Sequence, residues 1–143
     1  MKLLVPMDGS AASQHALDHA LWLALKDPAA IVILLNVQNM ETLGLSDIAV
    51  RTGREREEAI QSSELVLCAA VRKCLQCGVG HEKLAEFGPI AETIERIARE
   101  VGVDQIIMGS RGLGRLRGLL LGSVATQVVH LTRVPVTLVK QEG

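Results

Sequence analysis

The sequence is short of aromatic residues, of cysteine pairs and of long apolar runs. Its 143 residues include one Trp, one Phe and no Tyr, so aliphatic packing would have to replace aromatic stacking on a ligand's ring. Three cysteines without disulfide-framework spacing are typical of a reducing compartment. No run approaches the roughly 18 apolar residues of a membrane span, and no signal-peptide pattern opens the chain. These absences predict a cytoplasmic protein.

The chain also lacks an excess of either charge. A net charge of -1 at pH 7 argues against general affinity for nucleic acid or for membrane surfaces, so we expect neither as a partner. With 48% hydrophobic and 22% charged residues, the composition is that of a globular protein. The length is that of one ordinary domain, and we predict a single domain over residues 1–143.

Short apolar runs alternate with amphipathic helices along the chain. The predicted strands cover residues 3–7, 29–37, 79–87, 104–109 and 134–139. The predicted helices run from Ser10 to about Lys26, from Arg54 to Gly78, from Gly88 and Pro89 to Gly102, and from Gly122 to about Thr132. Residues 38–54 carry no clear period and are expected to form a mobile connection. This alternation predicts an α/β fold, an open parallel sheet with helices on both faces.

Periodicity also predicts which helix faces are buried. The stripe expected on the second helix is Ile60, Leu67, Val71 and Leu75, and that on the first is Ala16, Leu17, Ala20, Leu21 and Ala24. Cys74 and Cys77 form a CxxC late in a helix, where thiolates are not activated, so Cys74 is expected to pack in the core. His15 and His19 could hold a metal, but a solvated face is the better interpretation and no metal ligand is assigned.

The segment GSRGLGRLRGLLLGS, residues 109–123, concentrates five glycines and three arginines. Clustered glycine indicates a ligand lying against bare backbone, and arginine indicates that the ligand is an anion. Open parallel sheets bind ligands at the carboxyl ends of strands where the winding direction reverses. Gly109 is the last residue of the fourth predicted strand and Asp8 follows the first, so both lie at such ends.

Three phosphate-binding patterns can be compared with this segment. A P-loop requires Lys and then Ser or Thr after its last glycine, but Gly122 is followed by Ser123 and Val124. Residues 112–118 resemble a dinucleotide fingerprint only weakly, and they leave a dehydrogenase-like, NAD-binding protein as an alternative. The third pattern, Gly109, two residues, Gly112, nine residues, then Gly122 and Ser123, fits without gaps.

This spacing resembles the ATP-binding branch of the universal stress protein family. The similarity extends to VPMDGS, GPIAETI, DQIIMGSRG, LLLGSVATQVV and VPVTLVK, and so to nearly the whole chain. The resemblance implies a Rossmann-like sheet of strand order 3-2-1-4-5 that reverses between strands one and four. It also implies a homodimer formed through strand five, with Val136 and Leu138 in or near the interface. The function it implies is a stress response in which nucleotide binding regulates an unknown protein partner.

The predicted nucleotide-binding residues are Pro6, Asp8, Val37, Met108, Gly109, Gly112, Gly122, Ser123 and Val124. Unpaired amides where a helix starts at Gly122 and Ser123 suit phosphate, and the hydroxyl of Ser123 can add a hydrogen bond. By resemblance, Asp8 faces the nucleoside, the main chain of Val37 reads the adenine edge and Met108 lines the pocket. The expected ligand is ATP with Mg²⁺ bridging its oxygens.

Other interpretations remain open at this point. Gly122 and Ser123 could be only a helix start, and Asp8 only a turn residue that accepts nearby amides. Arg111, Arg115 and Arg117 are expected to be solvated loop charges, one of which could reach a phosphate. The alternative functions are a nucleotide-free regulatory module of the same fold and a slow ATP hydrolase. No general base is paired with a nucleophile, so no catalytic residue is assigned.

Overall fold

The buried apolar runs of the sequence form the strands of one sheet in the computed structural model, which describes residues 1–39, 53–110 and 121–140. The strands are β1 (Lys2–Pro6), β2 (Ile31–Gln38), β3 (Gly80–Phe87), β4 (Gln105–Gly109) and β5 (Val136–Val139). The helices are α1 (Ala11–Ala24), α2 (Gly53–Cys77), α3 (Ile90–Val101) and α4 (Ser123–Leu131). Strands and helices therefore alternate in the order that the sequence predicts.

All pairings in the sheet are parallel, and the strand order is β3-β2-β1-β4-β5. Leu4 of β1 pairs with Ile33 of β2 on one side and with Ile106 of β4 on the other. The chain winds outward from β1 to β3 and then returns to place β4 and β5 on the other side of β1. The predicted order and the reversal between the first and fourth strands are confirmed.

Helices cover both faces of the sheet and create two cores. One core joins alternate residues of β1, including Leu3 and Val5, to the buried faces of α1 and α2. The other joins Leu4 and its neighbours on the opposite face to α3 and α4. The open α/β architecture with helices on both faces is therefore confirmed. Among the described residues, no helix is both long enough and apolar enough to span a bilayer.

The buried face of α1 is the predicted one, but that of α2 differs from the prediction. Ile60 and Leu75 were expected to be buried, whereas they are 45% and 65% exposed. The residues that α2 buries are Ala59, Ser63, Leu67, Ala70 and Cys74. Small side chains on that face let α2 lie close to β2 and β3, and the predicted burial of Cys74 is confirmed. Most of the aperiodic segment 38–54 lies outside the described residues.

Candidate functional site

The carboxyl ends of β1 and β4 lie side by side at the reversal of the sheet. Because Leu4 pairs with Ile106, Pro6 at the end of β1 lies level with Met108, which is one residue before the end of β4. Pro6 also pairs with Leu35, so Val37 lies at the same edge, farther along β2. A crevice forms outside such a switch point because the flanking helices cover opposite faces of the sheet.

Asp8 follows β1 and forms a tight turn into α1. Its Oδ1 accepts a hydrogen bond from the backbone N–H of Ser10 at 2.9 Å, while Gly9 takes a φ of 82° that favours glycine. Ser10 then caps α1, its hydroxyl accepting from the N–H of Ser13 at 3.1 Å. The carboxylate is exposed, and its Oδ2 makes no hydrogen bond to the parts of the chain that the structure describes. Asp8 thus forms a turn through Oδ1, and its Oδ2 at the crevice has no hydrogen-bond partner within the described ranges.

Asn36 contributes to the site's geometry, although sequence reasoning did not single it out. It is only 3% exposed, and its Nδ2 donates to the main-chain oxygen of Met7 at 2.7 Å. Its Oδ1 accepts from Gln38 Nε2 at 3.1 Å. Asn36 therefore fixes the backbone that leads to Asp8. A single polar side chain within the apolar run IVILLNV was the signal that could have found it.

Gly109 is required by packing between β4 and α1. A Cβ on Gly109 would lie 2.7 Å from the Cβ of Ala12 and 2.9 Å from its carbonyl carbon and oxygen. Since two of these contacts are to backbone, the neighbour cannot rotate away. The first turn of α1 thus occupies part of the space that the sequence predicts for a ligand. Packing against α1 is therefore a second reason why position 109 requires glycine.

The N-terminus of α4 is hydrogen-bonded to the residue that follows β4. The N–H of Gly122 donates to the carbonyl of Ser110 at 2.6 Å, and the N–H of Ser110 donates to Val139 at 3.0 Å. Gly122 is the N-cap and has no side chain to accept from the first turn. The amides of Ser123 and Val124 therefore lack an intrahelical acceptor, which makes this helix start suitable for an anion. Ser123 is exposed, and Val124 packs partly against the core.

Two further groups named from the sequence are the segment around Gly112 and the histidines of α1. Gly112 and the arginines at 111, 115 and 117 lie outside the described residues. His15 and His19 lie on the outer face of α1, where His19 stacks on Trp22 with ring centroids 5.6 Å apart. Within the described ranges, no three His, Cys, Asp or Glu side chains converge as a metal site.

Known proteins share both the sequence and the fold. The universal stress protein family matches residues 1–140. The universal stress protein YxiE of Bacillus subtilis is 34% identical over 145 aligned positions, which cover 97% of this chain and 98% of that one. The solved structure of MJ0577, a universal stress protein of Methanocaldococcus jannaschii, matches with a TM-score of 0.90 and 28% identity, covering 99% of this chain and 96% of the other.

A second solved structure, a universal stress protein family protein of Arabidopsis thaliana with AMP bound, shares the fold. Its TM-score is 0.70 at 22% identity, and the match covers 100% of this chain and 93% of that one. At that identity the likeness concerns the fold alone, whereas the family match spans almost the whole sequence. The chain belongs to the universal stress protein family.

Proposed function

We propose that this protein binds ATP at the carboxyl ends of β1 and β4 and uses the bound state to regulate a protein partner in a stress response. One observation carries the proposal: the helix start at Gly122 is tied to the end of β4, beside the strand-order reversal, with first-turn amides that lack intrahelical acceptors. Helix N-termini attract phosphate through these amides and through the helix dipole.

Each residue has a chemical role in this proposal. The amides of Ser123 and Val124 and the hydroxyl of Ser123 bind phosphate oxygens, with Gly112 allowing close backbone approach. The free Oδ2 of Asp8 accepts from the nucleoside, since Oδ1 already accepts from Ser10. The main chain of Val37 meets the adenine edge, and Pro6 and Met108 line the crevice.

A divalent cation such as Mg²⁺ would bridge phosphate oxygens. The described residues offer no converging set of carboxylates, so phosphate and water would supply the cation's ligands. This arrangement fits a binding protein better than a hydrolase, for which a base beside the γ-phosphate is needed. We further propose that the protein acts in the cytoplasm as a single domain.

The Arabidopsis protein with AMP bound supports an adenine nucleotide, because it shows that this fold can hold one. A nucleotide-free regulatory module is the second candidate, and two contacts favour it. Asp8 already serves a turn, and Gly109 is already explained by Ala12. Denaturing freshly purified protein and identifying any released nucleotide by chromatography and mass distinguishes the two candidates.

The decisive variant is Gly122→Val. Its backbone, at φ -68° and ψ 160°, is open to any residue, so the variant should fold while a branched side chain crowds the phosphates. For the wild type, ATP at about 100 times its dissociation constant adds about 2.7 kcal/mol, or roughly 5 to 11 °C in melting temperature. Gly122→Val should lose this shift, whereas Gly53→Val, at another helix start with open space around it, should keep it.

Ser123→Ala tests a single hydrogen bond to phosphate. It should weaken ATP binding by roughly 1.5 to 3 kcal/mol, as expected for a bond to a charged group, and Ser62→Ala on the exposed side of α2 should not. Titrations with NAD at matched low concentrations provide the comparison. The ATP proposal is wrong if millimolar ATP with magnesium leaves the melting temperature unchanged while NAD raises it, or if Gly122→Val responds like the wild type.

A further inference from the structure

A shallow groove separates the outer flank of α2 from β3 at the amino end of the sheet, away from the proposed nucleotide site. Its volume is about 400 Å³. The helix side is formed by Cys68, Val71, Arg72 and Leu75, and the strand side by residues 81–83. We call this feature the α2–β3 groove. Nothing in the proposed nucleotide chemistry uses it.

The helix side of the groove presents apolar surface to solvent. Leu75 is 65% exposed and Val71 is half-buried beside it. Scattered apolar residues are ordinary on a surface, but Val71 and Leu75 are adjacent and line the same groove, where another chain can bury them.

The strand side of the groove is the edge strand of the sheet that the described residues form. All eight residues of β3 pair with β2, and β3 is the last strand in the sheet order. Its other side pairs with no strand of the described chain, so it presents alternating N–H and C=O groups. Eight residues is long for an edge strand, and an edge that the described residues leave unpaired can accept an added strand.

The charges along the groove favour an acidic partner. Lys83 is neutralised by Glu64, its Nζ donating to Oε2 at 2.8 Å, and this contact lowers the pKa of the Glu64 carboxyl. Arg72 makes neither an ion pair nor a hydrogen bond with any described residue. Glu82 belongs to the strand side of the groove, but since side chains alternate along a strand, its carboxylate lies on the face opposite the one from which Lys83 reaches α2. Arg72 is therefore the cation left for a ligand.

We propose that the α2–β3 groove binds an extended segment of a partner protein, which adds as a strand to the edge of β3. Main-chain hydrogen bonds to β3 supply affinity, and alternate side chains of the segment enter the groove and supply specificity. One of these side chains is acidic and meets Arg72, and another is apolar and packs on Val71 and Leu75. The proposal is independent of nucleotide binding.

Blocked seven-residue peptides test this on the wild-type protein by fluorescence anisotropy. The first peptide carries glutamate and leucine in turn at every second position, with threonine between them, so that both kinds of side chain lie on one face of the strand. The second replaces each glutamate with lysine, and the third is the glutamate peptide N-methylated at every second residue, made in both registers. The glutamate peptide should bind at least about tenfold more tightly than the lysine peptide. One N-methylated register should lose binding, because its donors to β3 are removed. Equal binding of the acidic and basic peptides, or full binding of both N-methylated registers, would overturn the proposal.

Variants assign the binding to the groove. Arg72→Glu should weaken the glutamate peptide at least about tenfold, and Leu75→Asp should weaken both peptides. Arg99→Glu is the matched control. It reverses the charge of an exposed side chain on α3, away from the groove, and this variant should bind the peptides like the wild type. Thermal unfolding verifies that each variant is folded. If a variant does not fold, the peptide series on the wild-type protein still tests the proposal. An unchanged affinity in Arg72→Glu would contradict the proposal, as would a change in oligomeric state caused by Leu75→Asp without peptide, because the occupant would then be a second copy.

Discussion

At Gly109 the backbone of β4 passes so close to α1 that no side chain fits. Gly109→Ala should therefore lower the free energy of unfolding by about 1 to 3 kcal/mol, because its Cβ meets the backbone of Ala12. Gly53→Ala is the control, since no described residue lies within 4 Å of the added methyl, and its stability should change by about 0.5 kcal/mol or less. Urea unfolding of both variants measures the difference. Equal stabilities would mean that α1 shifts freely on β4.

Asp8 combines a structural and a proposed binding role in the same carboxylate. Asp8→Ala removes the acceptor for the Ser10 N–H and should cost about 1 kcal/mol of stability, while Asp8→Asn retains an oxygen for that bond and should not. Both variants should weaken ATP binding, Asp8→Asn less, because each loses the charged Oδ2. Thermal unfolding without ligand and titration with ATP separate the roles. Unchanged ATP affinity in Asp8→Ala would remove Asp8 from the nucleotide site.

At the scale of elements, the sequence predicts strands more reliably than helix faces. A strand buried on both sides is a continuous apolar run, so β1, β2 and β4 are evident without knowledge of their neighbours. The face of α2 is less evident, because large apolar residues such as Ile60 and Leu75 suggest burial while close approach to the sheet requires small ones. The strand order followed from the family resemblance, since periodicity within one element carries no information about which elements pair.

The buried thiol of Cys74 on α2 should make stability pH-dependent. Burial, with a smaller contribution from Cys77, raises the pKa of Cys74 from 9.0 to about 11. Below pH 9 the thiol is protonated in both the folded and the unfolded state, and its contribution to the free energy of unfolding is fully present. Between pH 9 and about 11 only the folded state keeps the proton, so the contribution falls with rising pH and is lost above that range. The full loss is roughly 2 to 3 kcal/mol.

Cysteine variants isolate this effect. Cys74→Ala should be less stable than the wild type at neutral pH but should lose less stability as the pH rises, because its titrating thiol is gone. Cys77→Ala, on the exposed side of the same helix, should retain a slope close to that of the wild type. Urea unfolding under reducing conditions from about pH 8 to about pH 10.5 measures the slopes. Parallel slopes for the wild type and Cys74→Ala would contradict the assigned burial effect.

At the scale of the whole molecule, the candidate site depends on contacts between distant parts of the chain. The glycine spacing predicts the helix start at Gly122, because a local pattern is enough to mark the beginning of a helix. It cannot predict that Asn36 anchors Met7 or that Ala12 excludes a side chain at Gly109. Those contacts arise only when β1, β2, β4 and α1 are assembled, so a single sequence carries no local signal of which residues meet.

The two edges of the sheet should serve different partners. The edge strand β5 is short, and its four residues remain only half-buried, with Val136 and Leu138 packed against the core on one side. An apolar edge of this kind invites pairing with a second copy. We therefore predict a homodimer through β5, while the opposite edge at β3 remains available to the acidic segment proposed above.

Charge placed on each edge tests this division. Val136→Asp should dissociate the dimer, because an unpaired carboxylate would be buried where the strands meet. Ala85→Asp, on an exposed position of β3, should leave the dimer intact. Sedimentation velocity measures the mass of each variant, and circular dichroism checks that Val136→Asp retains its fold. A wild-type protein that stays monomeric at about 50 µM, near ordinary interface affinities, would show that β5 is not a dimer interface, whatever the variants do. Dissociation by Ala85→Asp instead would assign the dimer to β3 and leave no free edge for a partner strand.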